Sequence, residues 1–463
     1  MNTVMLRREP GVIVGAAVLG VGMGLIAARM PLAGVGVIVA ALVVAVVATR
    51  ADLVLMMMIA ALPWENKLHY PSATLSTVKG IGALVVFAYL LRILGNRRAR
   101  IELPPLVGVV TALFLWVGLS FVTARNPAES TQTLFRWLLF VAFFFLIIQL
   151  VDGPLEVRRA LRWFTTSVSA ASLYALTLFL GHNKVFRAAG PLEDPNDFAY
   201  LLACTLPIAA YLASADQRRR VIWIVCFVLI AAAMLATFSR GALVGVGALL
   251  VWGIITRRIP LWVVGCGLAS ALVVVALAFT LWKPLIDVAL HQKRHIAQAN
   301  TESREAFWSA AVKLAERRPL TGVGPGRFPT EAPPLIRNNS SALTHPITHN
   351  TYLEILSEEG FPGLFLFVTY LLGVWLLLHR IQRRAERNLD RDEQRLATAL
   401  QSALVIAVIS GTFLSEELAA PFWLLGGIVV VLARTRHRPR SSVDDENGKS
   451  RRWLGRALPI SPG

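Results

Sequence analysis

The chain has 463 residues and a formal net charge of +18, with 56% hydrophobic and only 16% charged residues. Its mean hydropathy of +0.60 is too high for a water-soluble domain, and we predict an all-α polytopic membrane protein. Such a positive charge could indicate nucleic-acid binding. The basic residues, however, fall in every second connection between apolar runs, which is the pattern of membrane topology, so we expect no nucleic-acid partner.

Apolar runs long enough to cross a hydrocarbon layer of about 30 Å recur along most of the chain, and in lipid they must form helices. In chain order they cover residues 11–28, 31–49, 51–63, 77–95, 104–123, 131–151, 159–181, 197–214, 220–238, 241–257, 259–282, 359–379, 396–415 and 419–433. The short run that ends at Pro63 could be a partial span, so we expect about twelve to fourteen helices. The first run lacks a convincing cleavage site and is predicted to be an anchor, not a removed signal peptide.

The arginine clusters predict the orientation of these spans. The positive-inside rule places every cluster, and both termini, in the cytoplasm. Residues 1–282 then form an N-terminal helical bundle, 283–358 a large extracytoplasmic loop, 359–434 the C-terminal helices, and 435–463 a basic, disordered cytoplasmic tail. The clusters are Arg7/Arg8, Arg50, Arg92 to Arg100, Arg158 to Arg162, Arg218 to Arg220, Arg257/Arg258, Arg380 to Arg395 and Arg434 to Arg440.

A few arginines fall on the opposite, extracytoplasmic side and need a reason for being there. Arg187 lies in "KVFRAAGPLEDPNDFAYLL", where Asp194 or Asn196 can cap the helix that follows. Arg240 lies in "TFSRGALVG", between two apolar runs with almost no loop. Snorkelling or a local ion pair would explain either residue, and a role in binding is the alternative. Arg136, near the outer end of a span, has the same two interpretations.

The large loop contains an amphipathic stretch, "SREAFWSAAVKLAERRPL", whose Phe307, Ala311 and Leu314 lie on one helical face. The stretch "TGVGPGRFP" follows it. No strand precedes these glycines and no GK[ST] is present, so we predict a tight turn and not a phosphate-binding loop.

The segment "THPITHNTYLEILSEEG", residues 344–360, precedes a span on the same outer side. Its histidines are His345 and His349, and a histidine can act as a general base near neutral pH. Arginine presents a fork of donors suited to diphosphate oxygens. Together they suggest that a hydroxyl loses its proton and a lipid diphosphate leaves. We expect the glutamates of this segment to be solvated.

Other enzyme classes lack their motifs. The sequence has no HExxH, no GxSxG elbow and no Walker loop, and the outer connections hold no DxD-like cluster for a metal-bound diphosphate. Its three cysteines lie in apolar runs without metal-ligand spacing. We therefore expect neither a metal nor a cofactor.

At these residues the sequence resembles the O-antigen ligase and polymerase superfamily of bacterial envelope glycan transferases. The matching stretches are "RAAGPLEDPNDFAYLLACTLP", "TFSRGALVGVGALL", "RRPLTGVGPGRF" and "THNTYLEILSEEGFPGLFLF", in that order, between residues 187 and 367. The resemblance implies an all-α fold similar to type C glycosyltransferases, and metal-independent transfer of a glycan from an undecaprenyl-diphosphate carrier at the outer face of the bacterial inner membrane. The acceptor would be a hydroxyl of a lipid core, as in lipopolysaccharide, of another glycan or of a protein.

The resemblance also implies roles for individual residues. Arg187 and Arg240 match arginines near the carrier diphosphate, and Arg304 is a third diphosphate-binding candidate. His349 is the candidate catalytic residue, whereas the match assigns no role to His345. Two alternatives stay open: a repeat-unit polymerase of the same superfamily, and a multispan glycolipid flippase or anion transporter.

Overall fold

The computed structural model describes residues 50–65, 77–95, 101–181, 187–257, 304–336 and 346–434. Within these ranges the regular secondary structure is helical and no strand occurs, which confirms the all-α prediction. The α-helices are α1 (Ala51–Ala61), α2 (Thr77–Gly95), α3 (Pro105–Thr123), α4 (Pro127–Leu150), α5 (Pro154–Leu180), α6 (Pro195–Ala215), α7 (Arg220–Ala236), α8 (Arg240–Ile255), α9 (304–317), α10 (Phe328–Glu331), α11 (Thr351–Arg387), α12 (Arg391–Ser410) and α13 (Ala420–Arg434). Short 3₁₀ turns occupy Leu62–Trp64, Gly190–Leu192, Gln217–Arg219 and Pro333–Leu335.

Most predicted spans coincide with helices. The runs 11–28, 31–49 and 259–282 lie outside the described residues, and each of the others overlaps one helix. Among the described residues, six segments are long and apolar enough to cross a membrane, namely α3, α4, α5, α6, the segment Gln217–Ala236 that contains α7, and α11. Helices α8 and α13 and the segment Ala51–Trp64 are apolar but shorter. These lengths and compositions confirm a multispan membrane protein.

Proline sets the start of several helices. Pro105, Pro127, Pro154 and Pro195 each occupy the first position of their helix. Proline suits this position because its fixed φ is helical and its missing N–H has no partner there anyway. Pro127, Pro154 and Pro195 begin their helices two to five residues before the predicted apolar runs, whereas Pro105 lies within one residue of the predicted start.

Helix α11 is bent at Gly360, which has a φ of 73° and a ψ of −174°. A Cβ at this position would lie 2.2 Å from the carbonyl oxygen of Leu320, so only glycine fits. The predicted span began at residue 359, at this break. The helix itself begins eight residues earlier, at Thr351, because the Asn350 side chain caps it.

Aromatic side chains of α4, α11 and α13 form the centre of the core. The rings of Tyr370 and Trp423 stack with centroids 5.4 Å apart, and Trp137 meets Trp423 edge-on. The Tyr370 hydroxyl donates to the backbone oxygen of Phe422 at 2.7 Å. Its polar atom is thereby satisfied inside an apolar core. Helix α6 packs against α7 and α12 beside this cluster.

Ion pairs link the helices at the end of the bundle where α5 begins. Arg162 of α5 lies 3.2 Å from Asp216, Arg158 pairs with Asp392, and Arg384 pairs with Glu393. These residues come from connections that the sequence assigns to one side. The chain segments around Arg187, Arg240 and His349 lie at the opposite helix ends.

Candidate active site

Arg187 joins two turns at this opposite end. Its Nε donates to the backbone oxygen of Thr237 at 2.7 Å, and its Nη2 donates to Oδ1 of Asn196 at 2.8 Å. Thr237 is fully buried in the turn between α7 and α8, so it holds the guanidinium in place. Arg240 begins α8, three residues after Thr237. Two arginines that are distant in sequence are therefore brought to one turn.

The helix that follows Arg187 is capped as the sequence predicted. Oδ1 of Asp194 accepts hydrogen bonds from the backbone N–H groups of Asn196 and Asp197 at 2.6 and 3.2 Å, and Pro195 lies in the first turn. Asp194 is the capping residue, whereas Asn196 binds Arg187.

His349 has a left-handed backbone conformation, with a φ of 49°. It lies directly before Asn350, whose Oδ1 accepts from the N–H groups of Tyr352 and Leu353 and caps α11. The preceding residue, Thr348, is buried, and its carbonyl oxygen accepts from Nε1 of Trp308 in α9 at 3.0 Å. The neighbours of His349 thus fix its position between α9 and α11.

The four predicted site residues influence one another electrostatically. Burial lowers the pKa of Arg187; Asp194 opposes this effect, and the charge of Arg240 adds to it. Burial also lowers the pKa of Arg304, which begins α9, and Arg240 again contributes. Three like charges so close together are unfavourable on their own, and an anion placed among them would relieve the repulsion.

The imidazole of His349 is neutral near pH 7. Its pKa is lowered to about 4, mainly by burial and additionally by the positive charge of Arg304, while Asp194 acts in the opposite direction. A neutral imidazole has a free lone pair, so it can accept a hydrogen bond or a proton from a hydroxyl. His349 is therefore within electrostatic reach of both the Arg304 guanidinium and the Asp194 carboxylate.

The glycine-rich stretch forms tight turns, as predicted. Gly322, Gly324 and Gly326 all have positive φ angles. The backbone N–H groups of Gly326 and Phe328 donate to the two carboxylate oxygens of Glu358 at 2.6 and 2.9 Å. These amide donors are already occupied within the protein, so they do not form a phosphate-binding loop.

The prediction that the glutamates of residues 354–359 are solvated was wrong. Glu358 and Glu359 are only 4% and 1% exposed. Glu354 accepts a hydrogen bond from the Thr348 hydroxyl at 2.6 Å. Glu358 is buried because its carboxylate binds the glycine-rich turn about thirty residues earlier in the chain. The predicted apolar face of α9 is confirmed, because Phe307, Ala311 and Leu314 are buried.

Beside His349 lies a polar cavity of about 560 Å³. Sequence reasoning missed it, because its walls come from six segments of the chain that only the fold brings together. Arg136, for which the sequence left snorkelling and function open, lines it together with Lys79. The other ionisable residues in its wall are Glu65, Asp194, Asp197, His349, Glu354, Glu416 and Glu417.

The carboxyl groups of this cavity are crowded. Burial raises the pKa of Glu416 well above its usual range, and the charges of Asp197 and Glu417 raise it further. Within the described residues, no group of three or more His, Cys, Asp or Glu side chains has a geometry that could hold a metal ion. Cys204 and Cys226 are buried and free. His345 and Cys266 lie outside the described residues.

Comparison with known proteins agrees with the sequence resemblance. Residues 225–368 match a family model described as O-Antigen ligase. An O-antigen ligase of Pseudomonas aeruginosa is 26% identical over 268 residues, an alignment that covers 55% of this chain and 60% of that protein. The chain thus matches less than two thirds of its relative's length. Arg240, Arg304 and His349 fall inside the family match, and Arg187 precedes it.

Proposed function

We propose that the chain is an O-antigen ligase-type enzyme, as its match to the O-Antigen ligase family model and its similarity to an O-antigen ligase suggest, and that it transfers a glycan from an undecaprenyl-diphosphate carrier to an acceptor hydroxyl in cell-surface polysaccharide biosynthesis. One observation carries the proposal. Arg240 lies within electrostatic reach of both Arg187 and Arg304, and a neutral histidine, His349, lies within reach of Arg304.

The arginines bind the donor diphosphate in this proposal. Their guanidinium groups each present several N–H donors in one plane, which match phosphate oxygens. Arg187 is held by Thr237 and Asn196. Because it does not need to be ordered when the donor binds, less entropy is lost on binding. Binding of the dianionic diphosphate also removes the repulsion between Arg187, Arg240 and Arg304.

His349 acts as the general base. The acceptor oxygen attacks the anomeric carbon, and its proton passes to the neutral imidazole. The bond between the anomeric carbon and the diphosphate oxygen breaks, and its electron pair leaves with undecaprenyl diphosphate. The protonated imidazole then returns its proton to water. The arginine charges stabilise the leaving diphosphate, so the proposed reaction proceeds without a metal or cofactor.

We place this reaction at the extracytoplasmic face of the bacterial inner membrane, with both termini in the cytoplasm. The alternating arginine clusters support this orientation. The carrier lipid would reach the site from the membrane.

The test is transfer by the purified protein in lipid nanodiscs, with a glycan linked to undecaprenyl diphosphate as donor. We expect a new glycan–acceptor bond and release of undecaprenyl diphosphate, both unaffected by EDTA. No release of the carrier in the presence of acceptor would contradict the proposal, and loss of activity on chelation would contradict its metal-free mechanism.

The glycolipids of a deletion strain separate a ligase from the alternatives. If the protein is a ligase, the deletion strain should contain acceptor without attached glycan, together with long glycan chains that are still linked to the carrier. Acceptor that bears single repeats would indicate a polymerase. Normal transfer with carrier glycolipid trapped on the cytoplasmic side would indicate a flippase. The names of the matched family and of the matched relative favour the ligase.

A further inference from the structure

The polar cavity beside His349 is rich in carboxyl groups, unlike the arginine cluster. Its wall contains six carboxyl groups against two cationic side chains, Lys79 and Arg136. Arg187, Arg240 and Arg304 do not line it. His349 lines the cavity, and its pKa is also lowered by the positive charge of Arg304. The histidine therefore borders the carboxyl-rich cavity and is also within electrostatic reach of the arginine cluster.

Two buried side-chain atoms of residues in the cavity wall have no hydrogen-bond partner within the described residues. Oε1 of Glu416 has no hydrogen bond within the described residues, although the Glu416 residue is only 4% exposed. The hydroxyl of Tyr200 is also unpaired there, in a side chain with 0% exposure. Buried polar atoms are normally hydrogen-bonded, and leaving one without a partner is unfavourable. Both residues line the cavity, so a small side-chain adjustment would let a polar ligand there supply the missing hydrogen bonds.

The position of these groups is set by the backbone. Glu416 donates its backbone N–H to Oγ1 of Thr351 at 2.8 Å, and Thr351 is the first residue of α11. Glu416 also interacts through its side chain with Asp197 of α6. The connection between α12 and α13 is thereby attached directly to the segment that carries His349, so part of the cavity wall is held beside the histidine.

We propose that this cavity is the acceptor subsite, and that it selects a terminal sugar with free hydroxyl groups and no negative charge. This inference rests on the proposed transferase function. Carboxylates and a phenol can exchange hydrogen bonds with sugar hydroxyls. A carboxylated or phosphorylated sugar would add a charge to a group of carboxyls that already repel one another. The cavity volume of about 560 Å³ is in the range of small-molecule sites.

The subsite can be tested by binding alone, without donor or turnover. The probes are an alkyl glucoside and an alkyl glucuronide of equal chain length, titrated into the protein in nanodiscs at pH 7, with empty nanodiscs as the blank. We expect the wild-type protein to bind the glucoside at least about tenfold more tightly than the glucuronide. Equal affinity for the two probes would overturn the proposal, whatever any variant does.

The variant Glu416→Gln keeps the size of the side chain but removes its acidic proton and its ability to ionise. We expect glucoside affinity to fall about tenfold, since the hydrogen bond donated by the carboxyl O–H is lost, and the preference for the glucoside over the glucuronide to become smaller. Glu417→Gln is a second variant of the same cavity. Glu305→Gln is the matched control, because Glu305 is exposed on α9 outside the cavity, and its glucoside affinity should match that of the wild type.

The outcomes distinguish this proposal from the proposed function. If both glutamine variants bind the glucoside within threefold of the wild type, the subsite is wrong even though glycan transfer proceeds. If the wild type discriminates between the probes as expected but transfers no glycan, the subsite is supported and the transferase function is contradicted.

Discussion

The glycine-rich turn should depend on a single buried carboxylate, that of Glu358. Its two oxygens accept the backbone N–H groups of Gly326 and Phe328 at 2.6 and 2.9 Å. Its backbone oxygen accepts from Gly324 and from the hydroxyl of Ser120. The substitution Glu358→Gln leaves the backbone contacts unchanged but replaces one acceptor oxygen with an NH₂ donor. One buried backbone N–H then faces another donor.

The size of the effect follows from these contacts. A hydrogen bond to a charged group contributes about 1.5–3 kcal/mol, and a buried donor without a partner costs about 1–3 kcal/mol. The lost hydrogen-bond partner and the weakening of the remaining bond should together lower the free energy of local opening of the turn by about 2–4 kcal/mol. Since 1.4 kcal/mol is a factor of ten, amide hydrogen exchange in residues 321–331 should accelerate by about thirty- to several hundredfold.

Hydrogen–deuterium exchange with peptide resolution, in nanodiscs, measures this effect directly. Glu316→Gln is the control, because Glu316 is exposed on α9 and a surface change of this kind stays within about 0.5 kcal/mol. Unchanged exchange of residues 321–331 in Glu358→Gln would refute the assignment of Glu358 as the group that holds the turn.

Three further predictions concern the site and its support. Arg187→Lys should raise the donor KM about tenfold, because a lysine cannot bind Thr237 and Asn196 together as the guanidinium does. Arg125→Lys, at an exposed position, is the control. An unchanged donor KM in Arg187→Lys would contradict the role of Arg187 in donor binding. Gly360→Ala should lower the free energy of unfolding by about 2 kcal/mol or more, because of the positive φ and the close contact of the added Cβ with a backbone oxygen. Gly80→Ala is the control, since a Cβ added at Gly80 meets nothing within 4 Å. Equal melting temperatures for the two variants would contradict this prediction. Because the pKa of His349 is lowered to about 4, the imidazole stays in its neutral, basic form as the pH falls from 8 to 5. The value of kcat/KM should therefore be constant over that range. A fall in kcat/KM of about tenfold between pH 7.5 and 5.5 would instead indicate an ordinary histidine pKa and contradict this prediction.

The sequence predicted the helices well because lipid leaves an apolar run few other structures. It predicted the cap of α6 for a similar reason, since Asp194 and Pro195 act only on their own helix. Local chemistry of this kind can be read from neighbouring residues.

Contacts between distant segments could not be read in this way. The partners of Glu358 lie about thirty residues away in a turn, and nothing near Glu358 in the sequence indicates that its charge is buried. The start of α11 was missed because the first two turns of this helix are rich in polar residues, although they pack against the connection after α12. The acidic cavity was missed because Asp197 and Glu416 are more than two hundred residues apart.

The conformation of His349 suggests the substitution that tests the central claim. Its φ of 49° lies in the left-handed region, which asparagine tolerates better than most residues. The variant His349→Asn therefore preserves the local backbone and the cap at Asn350 but cannot take up a proton near neutral pH.

The decisive measurement is the initial rate of glycan transfer by His349→Asn in nanodiscs, beside its affinity for the carrier-linked donor. General base catalysis contributes about 10²–10⁴ in rate. We predict a fall in transfer of that size, with donor affinity within threefold of the wild type, because the diphosphate is bound by Arg187, Arg240 and Arg304. Transfer within threefold of the wild type would contradict the account.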